Sequence, residues 1–349
     1  MSAHVMELPR VVVVGPRVAE KIGSTLQDLE LGNKGIILSG PIVKELLQWS
    51  VLPSLADSGF KSSWELVGTS SFAEVERVAA LAREQKADFL VGAGGGRSID
   101  IAKLASFECK IPFVSVPTSA SHDGISSPFG SVKGLDRPYS IVAKPPIAII
   151  ADTLFISKAP QKLLVSGCGD LISKKTAVKD WELSHERTGE YFGRYSANLA
   201  LLSANMIMED AEMISSITSE GISVVVEALI SSGVAAGIAG SSRPCSGSEH
   251  LFSHAMDIVA PGKGLHGEKC GMGTIMMSKL HGLDYKEIRQ TLQTIGSPVR
   301  AGEIGATSDD VIKALVLARS IRKERYTILE EAKLSEESAR KLAADVGVI

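Results

Sequence analysis

Three of the chain's seven histidines, His250, His254 and His266, fall within seventeen residues. His250 and His254 are spaced i, i+4 in Ser248-Glu249-His250-Leu251-Phe252-Ser253-His254. On a helix that spacing sets both rings on one face, with Cβ atoms about 5–6 Å apart. His266 follows the Pro261-Gly262-Lys263-Gly264 turn, at the start of the next apolar helical run. Neutral imidazole is the commonest protein metal ligand, so the cluster reads as a metal site. The spacing is not the HExxH of zinc proteases, and two helix-surface histidines plus a capping one would leave the same pattern. A third ligand type has to come from elsewhere in the chain.

Gly167-Cys168-Gly169-Asp170-Leu171 offers one. Asp170 is expected there to open a helix after a glycine pair. An aspartate so placed is ordinarily a cap. Combined with His250 and His266 it supplies the missing carboxylate, and Asp-His-His leaves the open position a catalytic metal needs. Cys168 and Cys270 lie near these residues, but free cysteine often packs as a small hydrophobe, and both are read as such. The four cysteines are scattered with no CxxC, as in reduced cytosolic proteins.

A second chemistry lies upstream. In Val91-Gly92-Ala93-Gly94-Gly95-Gly96-Arg97-Ser98-Ile99-Asp100 a strand runs into three consecutive glycines and then a helix. Glycines let backbone approach a phosphate, and a helix N-terminus offers free N–H groups and positive dipole. Counting from Gly92 the sixth position is Arg97, so the usual dinucleotide fingerprint is not met. One or two glycines suffice for a turn, however, and three favour phosphate binding. The next strand ends in Thr118-Ser119-Ala120-Ser121-His122-Asp123, with Ser127 just beyond; neighbouring parallel strands would set these hydroxyls beside the glycine loop. After the strand at 35–38 comes Ser39-Gly40-Pro41, with no carboxylate to hold an adenosine ribose. A 2′-phosphate would meet no repulsion, so NADP is expected to be tolerated as well as NAD.

The elements that must position these residues follow from periodicity. Strands are expected at 10–14, 35–38, 64–67, 88–92, 111–116 and 147–151. Helices are expected at 41–58, 71–85 (with a Ser71/Glu74 capping box) and 97–107. This alternation predicts a parallel sheet with ligands beyond the strands' carboxyl ends. Residues 129–152 read as a hairpin with turns at 133–134 and 136–138, returning to the last strand. Helical periodicity then dominates, in long segments such as 196–213 and 219–238. The fold class is thus an α/β Rossmann-like N-terminal domain, 1–155, and an all-α C-terminal domain, 156–349.

The 349 residues, 44% apolar and 22% charged, suffice for two such cores. A net charge of −3 without a basic run argues against nucleic acid. No apolar run reaches the roughly 18 residues of a membrane span, and the N-terminus has no signal pattern. A cytoplasmic protein is expected.

GGGRSIDIAK, PTSASHDGISSP, GCGDLISK, RPCSGSEHLFSHAMD and LHGEKCGMGTIMM together resemble the archaeal-type sn-glycerol-1-phosphate dehydrogenase family. The resemblance spans nearly the whole chain, within a wider group of glycerol dehydrogenases, iron-type alcohol dehydrogenases and dehydroquinate synthases. It implies that glycerone phosphate is reduced by NADH or NADPH to sn-glycerol 1-phosphate, the backbone of archaeal membrane lipids. It implies a dehydroquinate synthase-like fold with one zinc ion per subunit in a cleft between the domains, held by Asp170, His250 and His266. Asp123 and His254 match substrate contacts, and Asp170, as a ligand, joins them as catalytic. Gly94, Gly95, Gly96, Arg97, Ser98, Ile99, Asp100, Thr118, Ser119, Ala120, Ser121 and Ser127 match the dinucleotide site. Arg325 is a candidate for the substrate phosphate and Arg243 its rival. Related enzymes are oligomeric, so a homo-oligomer is expected. Dehydroquinate synthases carry Glu at the position of Asp170, which counts against that activity; a glycerol dehydrogenase would share every motif but ignore the phosphate.

Overall fold

The computed structural model describes residues 6–132 and 141–349. The chain divides into two compact units, Met1–Pro160 and Gln161–Ile349.

The first unit carries β1 (Val11–Gly15), β2 (Lys34–Ser39), β3 (Lys61–Leu66), β4 (Phe89–Gly94), β5 (Phe113–Pro117), the short pair β6 (Phe129–Gly130) and β7 (Ile141–Val142), and β8 (Ala148–Asp152). Its helices are α1 (Ile22–Gln27), α2 (Pro41–Asp57), α3 (Phe72–Glu84), α4 (Gly96–Cys109) and α5 (Thr153–Ile156). Six strands form one sheet in the order β1-β8-β5-β4-β2-β3, every pairing parallel. The central strands are continuous apolar runs because both faces are covered; all six residues of β4 are buried. On one face Ile37, Phe89, Val91, Val114 and Ile150 pack against Leu47, Val51 and Leu55 of α2. Each such side chain contributes about 1.5–3 kcal/mol on burial.

β3 starts three residues before its expected position, at Lys61-Ser62-Ser63. Polar residues suit an edge strand, and β3 lies at the sheet's edge. The capping box at α3 is half formed. Ser71 Oγ accepts from Glu74 N (3.3 Å), but the Glu74 carboxylate takes the N–H of Gly68 (3.2 Å) instead. β6 and β7 pair antiparallel; the expected turns at 133–134 and 136–138 lie outside the described residues.

The second unit is helical: α6 (Gln161–Ile172), α7 (Lys174–Thr188), α8 (Arg194–Glu209), α9 (Ala211–Ser215), α10 (Ser219–Ala239), α11 (Ser248–Val259), α12 (His266–Leu280), α13 (Tyr285–Ile295), α14 (Ser308–Ile321), α15 (Ile328–Ala332) and α16 (Glu336–Asp345). The segment expected to run unbroken over 196–213 is divided at Asp210, between α8 and α9. Glu227 interrupts α10, so the helix holds no unbroken apolar run of the length expected for a membrane span. Its 21 residues are long and apolar enough to cross a membrane by length and composition alone, and 67% of its apolar window is buried in the protein. Ile222, Val225, Val226 and Leu229 are core, and Ala235 and Ala239 pack with Trp181 of α7 and Ala197 and Ala200 of α8.

Asp170 does not open a helix. It lies in the last turn of α6, and the glycines before it are helical residues, of which Gly169 permits close packing. A Cβ on Gly169 would stand 2.2 Å from the Gly267 carbonyl oxygen, and one on Gly267 only 1.7 Å from that of Ser166. The two glycines let α6 touch the first turn of α12 backbone to backbone. That contact carries Asp170 to His266.

Candidate metal and dinucleotide sites

Four donors converge in the second unit. Asp170 from α6, His250 from α11, and His266 and Cys270 from α12 offer one ligand atom each, all within 4.8 Å of one another. Asp170 Oδ1 is 3.3 Å from His250 Nε2 and 4.0 Å from His266 Nε2. Cys270 Sγ is 3.6 Å from His266 Nε2. The His250 and His266 rings meet edge-on, with centroids 5.0 Å apart. Asp170 and His250 are buried, whereas the His266 side chain is 36% exposed, so the cluster opens on the His266 side.

The four donors shift one another's protonation. Burial would push the two imidazoles down, yet Cys270 and Asp170 hold His250 well above its usual range and raise His266 as well. Burial would push the Cys270 thiol up, but His250 and His266 bring it to about 6. Burial likewise opposes the Asp170 carboxylate, and Lys174 and His250 more than reverse this, leaving it well below the carboxylate range. These shifts put the positive charge on the imidazoles themselves, where a metal ion on the same nitrogens would take the place of their protons. The spacing fits a small divalent ion. Bonds of about 2.0–2.1 Å in a tetrahedron put neighbouring donors roughly 3.3 Å apart, as Asp170 and His250 are; His266 stands somewhat wide. Lys174 Nζ also donates to Asp170 Oδ1 (2.8 Å), so an ion at that oxygen would share it with a buried ammonium.

Cys270, expected to pack as a small hydrophobe, stands instead among the metal-type donors. Its i, i+4 spacing from His266 is the same as that of His250 from His254 and sets both groups on one helix face. Cys168 remains core, its thiol pushed by burial to about 12. His254 is outside the four-donor group, its ring centroid 6.2 Å from that of His266. Burial, then the charge of His266 and His250, holds its imidazole well below the usual range, so it is neutral. Arg243 is spent on structure: it pairs with Glu190 and donates to Tyr326 O (2.9 Å) and Ser184 Oγ (3.1 Å). Arg325 donates to two neutral acceptors, Ser246 O and Ser242 Oγ. Burial first, then Arg322 and Arg243, lowers its guanidinium to about 9.

The first unit holds the other predicted residues. Gly94 ends β4 opposite Pro117 at the end of β5, and Thr118 N donates to Gly94 O (3.0 Å). The glycine loop and the Thr118–Ser121 loop are therefore joined, at the strands' carboxyl ends. α4 starts at Gly96 with no side-chain cap, which leaves its first N–H groups for an anion. A Cβ on Gly96 would fall 2.3 Å from His122 Nε2, so a side chain there would have to displace that ring. Lys103 in α4 is fully buried and donates to Gly124 O (2.7 Å) and Phe129 O (2.6 Å). It ties the loop bearing Asp123 and Ser127 to α4. Arg97 is exposed and donates to Gly68 O. The side chains of Ile99 and Asp100 turn inward: Ile99 is core, and Asp100 accepts from Ser131 N and meets Lys103. At the end of β2, Ser39 is buried and accepts from Trp64 Nε1 (2.8 Å).

These features fit known proteins. The iron-containing alcohol dehydrogenase family matches residues 13–160. The fold aligns with a glycerol dehydrogenase from Schizosaccharomyces pombe at TM-score 0.81 and 18% identity, over 99% of this chain and 91% of that one. Parallel sheet, helical unit and metal-type donors thus define the class, the fold of the iron-containing alcohol dehydrogenases and glycerol dehydrogenases. Sequence relatives narrow it. The glycerol-1-phosphate dehydrogenase (NAD(P)+) of Nitrosopumilus maritimus is 50% identical over 100% of this chain and 98% of that protein. The one from Cenarchaeum symbiosum is 51% identical with the same coverage. The chain belongs to the glycerol-1-phosphate dehydrogenase family.

Proposed function

We propose that this chain reduces glycerone phosphate to sn-glycerol 1-phosphate with NADH or NADPH, as a cytoplasmic, homo-oligomeric enzyme supplying archaeal phospholipid synthesis. The observation that carries the reading is the convergence of Asp170, His250 and His266, in a chain whose full length matches that family. These three would hold a divalent ion, zinc by ligand type and family, with Cys270 beside it. When bound, the ion polarises a ketone and offsets the charge of the forming alkoxide, and the reduced nicotinamide supplies the hydride.

The chain's own residues do the rest. The uncapped start of α4, with Gly94, Gly95, Gly96 and the hydroxyls of Thr118, Ser119, Ser121 and Ser127, takes the pyrophosphate side of the dinucleotide. The buried Ser39 in place of a carboxylate leaves room for either NAD or NADP. Asp123 contacts the substrate. Neutral His254 orients a substrate hydroxyl and relays a proton toward water. Arg325, whose hydrogen bonds go to neutral acceptors, takes the phosphate, because Arg243 is already matched by Glu190.

The test is oxidation of NADH and NADPH by metal-loaded enzyme with glycerone phosphate, followed by chiral analysis. sn-Glycerol 1-phosphate is the expected product. Preference for unphosphorylated glycerol would favour a glycerol dehydrogenase, and turnover without net loss of NADH absorbance a dehydroquinate synthase-like lyase. Asp170→Asn is expected to lose bound metal with its circular dichroism unchanged; full metal content in that variant would remove Asp170 from the site.

A further inference from the structure

His250 is held from behind by a residue with no assigned part in the chemistry. Glu249 is fully buried. Its Oε1 lies 2.8 Å from His250 Nδ1 and accepts from Gly247 N (2.6 Å), and its Oε2 accepts from Thr176 Oγ1 of α7 (2.7 Å). The carboxylate is thus fixed from three directions. An ionised carboxylate only accepts hydrogen bonds. Nδ1 must therefore carry the hydrogen, and the lone pair of a neutral His250 must sit on Nε2. That nitrogen faces Asp170 Oδ1 at 3.3 Å. Two acceptors so close repel unless a cation or a proton lies between them.

We infer that Glu249 is a positioning residue that fixes His250 in its metal-binding tautomer and orientation, with Thr176 holding Glu249 in turn. Carboxylates behind a ligating histidine set ring direction and donor strength in other metal sites, and their loss weakens metal binding about 10–100-fold. A buried carboxylate is costly to keep, and a neutral side chain could serve the start of α11 equally well through Gly247 N. The charge makes sense through the ring it touches.

The inference rests on the metal donors proposed above, and the experiment separates the two. Dissociation constants for cobalt(II) and zinc(II) are measured by chelator competition on the full-length wild type, Glu249→Gln, Glu249→Asp and Thr176→Val, with cobalt(II) ligand-field spectra and metal-free melting curves. Glu249→Gln is expected to bind both metals about 10–100-fold more weakly and to shift the cobalt spectrum. Glu249→Asp should recover part of the loss, and Thr176→Val should weaken binding severalfold. A folded Glu249→Gln whose constants lie within about twofold of wild type would overturn the inference. If that variant does not fold, unchanged binding in Thr176→Val overturns it. Wild type that binds neither metal would instead defeat the proposed site itself.

Discussion

A charged side chain is best judged by what already neutralises it. Arg243 looks in sequence like a phosphate ligand, yet it is 4% exposed, and Glu190 meets its guanidinium with both carboxylate oxygens. Burial raises the Glu190 pKa, but Arg243 and the Ser184 hydroxyl more than reverse this, leaving it below the ordinary 4.5. A depressed carboxylate stabilises the fold above its unfolded pKa, and the contribution is lost as pH falls through the folded value. Glu190→Gln should therefore cost most near neutral pH and nothing in strong acid. Glu190 is 34% exposed, so screening holds the cost to the lower part of the roughly 1.5–3 kcal/mol range of hydrogen bonds to charged groups, or below it. Urea unfolding of both proteins at pH 7 and pH 4 checks it; a gap that widened in acid would contradict the pairing. Sequence spacing named His250, His254 and His266 because i, i+4 geometry is local. It could not show that Glu190 reaches Arg243 across 53 positions.

Between elements, the decisive contact is the one between α6 and the first turn of α12. Glycine to alanine inside a helix ordinarily stabilises by about 0.8–1.0 kcal/mol. At Gly169 the sign should invert, because the new Cβ would meet the Gly267 carbonyl oxygen at 2.2 Å, and backbone cannot step aside as a side chain can. Overpacking of this kind costs about 1–3 kcal/mol, and the shift falls next to Asp170. Gly169→Ala is expected to melt lower and to bind metal more weakly. A variant that melted higher, with unchanged affinity, would mean that α6 and α12 have room to spare. The same glycines explain the one misplaced element at the site. In sequence Gly167 and Gly169 look like a helix boundary, because glycine weakens helices; the neighbouring helix explains why Gly169 sits inside one. The sheet was legible because strand-helix alternation and buried aliphatic runs are local signals. The polar start of β3 was missed because its stability comes from pairing with β2. Cys270 was missed because a cysteine's chemistry depends on its neighbours, and Glu249 because a carboxylate beside a histidine in sequence carries no spacing signal at all.

For the whole molecule, metal and stability should be linked. Four donor groups packed together with Glu249 and Lys174 beside them make a place where charge is concentrated inside a helical unit. A ligand that binds only the folded chain stabilises it by RT ln(1 + [L]/Kd), about 2.7 kcal/mol at a hundredfold excess over Kd. The donors come from α6, α11 and α12, so unfolding any of these helices dissolves the set. The effect should therefore appear in the melting of the unit Gln161–Ile349. For a unit of this size 1 kcal/mol moves the midpoint by about 2–4 °C. Chelator-stripped protein is thus expected to melt roughly 5–10 °C below protein held at that excess of zinc. The gap should close in Asp170→Asn, whose metal-free form already lacks a donor. Calorimetry with and without chelator decides it: equal midpoints in the wild type would show that no ion binds the folded chain at that concentration, whereas a gap that persisted in Asp170→Asn would place the ion elsewhere.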